Sequence, residues 1–209
     1  MTETLTLYTN PMSRGRIARW MLEETGIPYR RELLTYGGSM KSPAYLAINP
    51  MGKVPAIVHE GRVVTECAAI CAYLADAFPE TGLAPTPSER AAYYRWMFFA
   101  AGPLESAVVN RTLKVEIAPE QQRMVGYGSY GHALDALETA LSASAYIAGD
   151  RFTAADVYVG SAVSWGLAFK TIEDRPAFAA YAARLATRPA ALRAKDLDDA
   201  DAATLHSTP

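Results

Sequence analysis

Asn49-Pro50-Met51-Gly52-Lys53-Val54-Pro55-Ala56 is the stretch from which the rest of the chain can be ordered. Gly52-Lys53 reads as a turn, and Val54-Pro55 stands between it and a β-prone run, Ala56-Ile57-Val58-His59. A second run, Arg62-Val63-Val64, follows across Glu60-Gly61, so a hairpin with glycine at its bend is predicted. A proline at the start of a strand is placed where its missing N–H costs the ladder least. Thr65 then precedes Glu66-Cys67-Ala68-Ala69-Ile70-Cys71, which reads as helix, and is expected to cap it.

Toward the N-terminus, Leu5-Thr6-Leu7-Tyr8 is a short strand and Thr9-Asn10-Pro11-Met12 a turn. A helix is predicted from Ser13, with Ile17, Trp20 and Met21 on one face and Arg14, Arg16 and Arg19 around it. Gly26 stops that helix, and residues 29–34 read as a second strand. The order is β-α-β, a connection, then β-β-α. Toward the C-terminus the composition changes: about 9 alanines fall in residues 1–83 and about 29 in residues 84–209. Thr81-Gly82-Leu83-Ala84-Pro85-Thr86-Pro87 has the glycine and prolines of a linker. Domains over 1–82 and 88–209, with 83–87 between them, are therefore expected.

The second domain reads as helical over residues 88–107, about 120–141, 154–170 and 176–187, where the apolar spacing is near 3.6. Asp150-Arg151-Phe152-Thr153-Ala154-Ala155-Asp156 carries a capping box, Thr153 with Asp156, and Phe152 is placed to staple onto Val157. That signal concerns folding. Residues 196–209 are polar and acidic and are expected to be loose.

Composition narrows the function. The 209 residues are 50% hydrophobic and 20% charged, with formal net charge −2. Such a balance argues against nucleic acid or an acidic membrane as the main partner. No apolar run approaches the ~18 residues of a membrane span, and MTETLTLYTN lacks the basic-then-apolar pattern of a leader. A soluble, cytoplasmic protein is expected. Cys67 and Cys71 share a helix face at i and i+4, where disulfide geometry is poor. With no Cys-x-x-Cys and with His59, His132 and His206 scattered, no metal site is expected.

Asn49 to Ala56, Thr65 to Ile70 and Gly149 to Asp156, in that order, resemble the cytosolic glutathione S-transferase family over roughly residues 4–195. The likeness is to bacterial members, and to the serine type rather than the cysteine type. It implies an α/β thioredoxin-like N-terminal domain, βαβ-ββα with a mixed four-stranded sheet, plus an all-α C-terminal domain. Glutathione is then the cosubstrate, no metal takes part, and the partner is a small hydrophobic electrophile in a detoxifying conjugation. A homodimer is implied as well.

The resemblance also implies roles. The Val54-Pro55 bond is expected to be cis, turning the Val54 N–H and C=O toward the cysteinyl backbone of glutathione as an added strand would. The first turn of the helix at Glu66 and Cys67 would hold the γ-glutamyl carboxylate on free N–H groups, with Glu66 meeting the ammonium. Taken alone, Glu66 reads first as a dipole-favourable first-turn acid, and its position after Val-Pro and Val-Val-Thr favours the binding role. Cys67 stands where relatives usually have Ser, and a thiol is the weaker donor. Lys53 could reach the glycyl carboxylate or remain a solvated turn lysine.

Chemistry needs the glutathione thiol ionised, and its ordinary pKa is ~8.5. Lowering it by ~1.5–2 units requires ~2–2.7 kcal/mol of thiolate stabilisation. Ser13, after Pro11-Met12 at the start of the first helix, is the leading hydroxyl donor, and is also readable as an N-cap. Tyr8 is the rival and Asn10 a third candidate, with Arg14 and Arg16 adding positive potential. The loop holds no cysteine, so the reactive sulfur is expected to come with glutathione. Tyr93, Trp96, Phe99, Leu104, Arg111 and Trp165 are available to an acceptor site but carry no assigned role. A glutathione-dependent peroxidase or disulfide reductase, and a non-catalytic binding module on the same fold, are the alternatives.

Overall fold

The computed structural model describes residues 5–206. Residues 1–4, the start of the stretch read for a leader, and 207–209, the end of the expected loose tail, lie outside the described residues. The chain forms two compact units. One runs up to Leu83 and takes in Thr187 onward; the other is Ala84–Ala186.

The first unit opens with β1 (Leu5–Thr9), α1 (Gly15–Thr25) and β2 (Tyr29–Leu33). A short α2 (Pro43–Leu46), the hairpin β3 (Ala56–His59) and β4 (Arg62–Thr65), and α3 (Cys67–Ala77) follow. The sheet order is β2-β1-β3-β4, with β1 parallel to β2 and antiparallel to β3. This is the expected mixed thioredoxin-like sheet. Leu5, Leu7, Ile17, Met21, Leu22, Ile57, Ile70 and Leu74 fill the core, each such side chain contributing about 1.5–3 kcal/mol by burial. Two registers matter most: Tyr8 opposite Ala56, and Ala56 opposite Thr65. They bring the end of β1, the start of β3 and the end of β4 to one end of the sheet.

Those registers correct the expected cap. Thr65 is held in the ladder as the last residue of β4, so the chain turns into α3 in a single step at Glu66. Glu66 takes φ +66° and ψ 120° and makes no side-chain cap bond. A glycine would adopt that φ freely; a glutamate does so at a cost of order 1 kcal/mol.

The second unit is all helical: α4 (Arg90–Phe99), α5 (Glu105–Thr112), α6 (Tyr130–Ala143), α7 (Ala154–Ala168) and α8 (Pro176–Ala186). The helix expected over 88–107 instead begins at Arg90, widens into a π-helical turn at Ala100–Leu104, where Pro103 lacks an N–H, and resumes as α5. The helix expected from about 120 starts at Tyr130, because Pro119 and Gly128 (φ +65°) break the segment before it. Ser129 caps it by accepting the His132 N–H. The box before α7 forms as read, with the Asp156 carboxylate accepting the Thr153 N–H at 2.8 Å. It also accepts from Ile147 N–H and Tyr181 O–H, each at 2.8 Å, so the motif ties α7 to α8.

The helical domain expected to run to 209 stops at Ala186. Its last stretch is α9 (Pro189–His206), which packs with the first unit against α1. Residues 196–206 are accordingly ordered helix rather than a loose tail, and charge explains it. Arg19, read with Arg14 and Arg16 around the apolar face of α1, is 1% exposed and lies 2.9 Å from Asp198 and 2.6 Å from Asp201. Arg31 of β2 meets the other Asp201 oxygen at 2.6 Å.

Candidate active site

Three segments converge at the end of the sheet that the registers define. The first is the turn before Pro55. Gly52 has φ +57°, and a Cβ there would meet Met40 O and Lys41 Nζ at 2.8 Å, so only glycine fits. The Asn49 side chain braces the turn, accepting from Met51 N–H at 3.1 Å and donating to the Lys53 carbonyl at 2.8 Å. The buried Tyr45 hydroxyl donates to the same carbonyl at 2.6 Å, and Lys41 Nζ donates to Met51 O and Gly52 O. The Val54-Pro55 bond is cis. With Lys53 clamped on one side and β3 beginning on the other, Val54 N–H and C=O form no hydrogen bond among the described residues. The Lys53 side chain is exposed.

The second segment is the start of α3. Ile70 N–H bonds back to Glu66 O at 2.8 Å, and the Ala68 and Ala69 N–H groups before it point out of the helix end. The Glu66 side chain is exposed beside them, and Cys67 is 7% exposed. The Cys67 Sγ–H is directed at the Arg14 carbonyl, 3.5 Å away. That contact sets the start of α3 against the start of α1. Cys71, one turn on, is fully buried, and burial holds its thiol well above the usual range.

The third segment is the loop after β1. Asn10 is buried and both ends of its amide are engaged: Nδ2 donates to Leu34 O at 2.7 Å, and Oδ1 accepts from Met12 N–H at 2.8 Å. It is a brace for the loop, its amide held in orientation at both ends. Tyr8 is half-buried and packs its ring on Tyr45, centroids 5.5 Å apart, in a cluster with Leu34, Met40 and Ala56. Ser13 lies two residues before α1, whose N-cap is Arg14, so it is not the helix cap itself. Its Oγ still accepts the Gly15 N–H at 2.9 Å and donates to the Asn10 carbonyl at 2.6 Å. The Ser13 N–H reaches the same carbonyl at 3.1 Å. Gly15 allows this closeness, since a Cβ there would fall 2.0 Å from Thr9 Oγ1 and 3.0 Å from Ser13 Oγ.

Sequence reasoning missed Gly15, Lys41 and Tyr45, whose contacts join segments far apart in the chain. It also missed the carboxylates of α9. Burial pushes the Asp198 carboxyl up to about 6 even though Arg19 opposes the shift. The residues named for an acceptor site fall in the helical unit. Tyr93, Trp96 and Leu104 are core, Phe99 and Trp165 are half-buried, and the Arg111 guanidinium lies 4.1 Å from the Tyr130 ring centroid. Arg111 lines a surface cavity of about 330 Å³ together with Lys114, Tyr127 and Tyr130. No group of three His, Cys, Asp or Glu among the described residues could hold a metal ion. No described helix is long and apolar enough to cross a membrane.

Comparison with known proteins agrees with this geometry. Residues 12–77 match the model of the glutathione S-transferase N-terminal domain, and 117–189 that of its C-terminal domain. Glutathione S-transferase GstA of Escherichia coli O157:H7 is 34% identical over 149 residues, 69% of this chain and 73% of that protein. The chain belongs to the glutathione S-transferase family. Another relative, the maleylacetoacetate isomerase of Pseudomonas aeruginosa, is 34% identical over 164 residues, 74% of this chain and 76% of its own length. Among solved structures, the theta class glutathione S-transferase of Xanthomonas axonopodis pv. citri, with glutathione bound, superposes with TM-score 0.71 at 29% identity. That match covers 91% of this chain and 96% of the other. In this chain the N-terminal unit holds Val54, Glu66 and Ser13 at one sheet end, although Glu66 follows Ser13 by 53 positions.

Proposed function

We propose that the protein binds glutathione at this sheet end, stabilises its thiolate through Ser13 and adds it to small hydrophobic electrophiles. The carrying observation is the joint placement of a donor turn, an unpaired extended backbone segment and a helix N-terminus. The Val54 N–H and C=O would pair with the cysteinyl backbone. The first N–H groups of α3 would take the γ-glutamyl carboxylate, and Glu66 the ammonium. Because the Cys67 thiol faces Arg14 O, the backbone carries the carboxylate contact. Exposed Lys53 would reach the glycyl carboxylate.

The Ser13 hydroxyl is able to turn. When it leaves the Asn10 carbonyl for the glutathione sulfur, that carbonyl keeps the Ser13 N–H, and Oγ keeps the Gly15 N–H. No buried group is orphaned by the move, so the donor is available at little cost. Tyr8 is the weaker choice because its ring is packed on Tyr45, and Asn10 has its amide committed. In the reaction the glutathione thiol gives its proton to solvent, the thiolate attacks the electrophilic carbon, and a halide leaves as its anion. A cytoplasmic homodimer completes the proposal, with size-exclusion chromatography as the check on assembly.

The experiment is calorimetric titration with glutathione and with its S-methyl derivative, alongside turnover of chlorodinitrobenzene and of a hydroperoxide. Binding of both ligands, with conjugation exceeding peroxide reduction, is expected. Reduction without conjugation would move the reading to a peroxidase, and failure to bind either ligand would leave a non-catalytic module.

A further inference from the structure

Asp199 of α9 is linked to the Ser13 turn through Arg16. The Arg16 guanidinium spans two elements: Nε donates to the Pro11 carbonyl at 2.5 Å, and Nη2 donates to Asp199 Oδ1 at 2.9 Å. Asp199 is held in turn by Lys195 Nζ at 2.8 Å on its other oxygen, one turn earlier on α9. Pro11 lies between Asn10, whose carbonyl receives Ser13, and Met12, whose N–H is held by the Asn10 side chain. The guanidinium therefore grips the middle of the turn that aims the Ser13 hydroxyl, and the grip is anchored on a helix more than 180 residues away in the chain.

We infer that Arg16 and Asp199 are positioning residues for the thiolate donor, acting through the Pro11 carbonyl. This inference rests on the reading that the Ser13 turn stabilises the glutathione thiolate. A planar guanidinium presents Nε and Nη donors in a fixed fork, so one side chain can hold a carbonyl and a carboxylate together; a lysine ammonium keeps the charge without the fork. The pair is partly exposed, 28% for Arg16 and 47% for Asp199, and contacts of that kind contribute little to global stability. Loss of either residue is thus expected to loosen the turn without unfolding the protein.

A purely electrostatic role for Arg16 predicts the opposite signs. Asp199 partly neutralises Arg16, and Lys195 and buried Asp198 also act on the same region. Removing the Asp199 charge would then leave more positive potential and lower the thiol pKa, while Arg16→Lys would change nothing. Under positioning, both Asp199→Asn and Arg16→Lys raise it.

The test is the thiol pKa of bound glutathione, read from thiolate ultraviolet absorbance, and the acid limb of kcat/KM for chlorodinitrobenzene at saturating glutathione. Each variant is also checked by thermal unfolding, with Ser13→Ala as the reference. Arg16→Lys and Asp199→Asn are expected to raise the pKa by about 0.5–1 unit, a three- to tenfold loss of thiolate below it, with unfolding temperatures close to the parent. An unchanged pKa in both variants, while Ser13→Ala raises it, overturns the inference alone, as does a fall in pKa with Asp199→Asn. An unchanged pKa in Ser13→Ala overturns the underlying reading of the turn.

Discussion

Asp198→Asn is expected to stabilise the protein at neutral pH, although it removes one partner of a buried arginine. Asp198 is 1% exposed and neither carboxylate oxygen has a hydrogen-bond donor of good geometry. Burial lifts its pKa to about 6, against an ordinary value of 3.8. Between those pH values the folded state holds a proton that the unfolded state has released. Stability contributed by this group is therefore full below about 3.8, falls as pH rises, and is gone above about 6. A rise of that size, about two pH units, is worth about 3 kcal/mol. Asparagine resembles the protonated acid in shape and charge, so the difference between variant and parent should be near zero at about pH 4 and reach about 3 kcal/mol in the variant's favour at pH 7. Arg19 is not abandoned, because Asp201 remains 2.6 Å away. The matching change, Asp201→Asn, should instead destabilise by about 1.5–3 kcal/mol, since Asp201 holds both Arg19 and Arg31 and Arg19 would keep only Asp198. Urea unfolding followed by tryptophan fluorescence at several pH values measures both. Loss of stability in Asp198→Asn at pH 7, with the parent's pH dependence intact, would refute the reasoning.

Other outcomes follow from single contacts. Gly15→Ala puts a Cβ 2.0 Å from buried Thr9 Oγ1; overpacking should cost about 1–3 kcal/mol, read by thermal denaturation, and an unchanged midpoint would show that Thr9 yields freely. Glu66→Gly relieves the positive φ but adds unfolded-chain entropy of similar size, so stability should stay within about 0.5 kcal/mol of the parent, while glutathione binding should lose about 1.5–3 kcal/mol through the lost charged contact. Calorimetry and unfolding separate the two effects, and an unchanged Kd would remove Glu66 from recognition. Cys67→Ser puts a stronger donor on the Arg14 carbonyl and should leave glutathione binding within about 0.5 kcal/mol of the parent; a larger change in Kd by calorimetry would show that this side chain shares the carboxylate contact.

The sheet and its site are legible where local chemistry alone decides them. Glycine and proline punctuate the Asn49–Ala56 stretch so strongly that the turn and hairpin can be read without knowing any contact, and the cis bond follows from the family likeness. Residues whose role depends on a partner far along the chain are not legible. Arg19 reads only as one of three arginines around the apolar face of α1, and its buried role appears with Asp198 and Asp201 of α9. The acidic stretch of residues 196–206 reads as loose for the same reason. Thr65 reads as a cap but sits in the ladder, because strand register outranks a local capping preference. Gly15 gives a weak signal, a glycine at the first helical position, whose cause is Thr9 across the turn.

The central claim is that Ser13 lowers the pKa of bound glutathione, and a spectrophotometric pH titration of the complex tests it. In the parent the thiol should titrate ~1.5–2 units below the free value of ~8.5, and Ser13→Ala should return it most of the way. A thiol pKa that is unchanged in Ser13→Ala but rises in Tyr8→Phe would contradict the account.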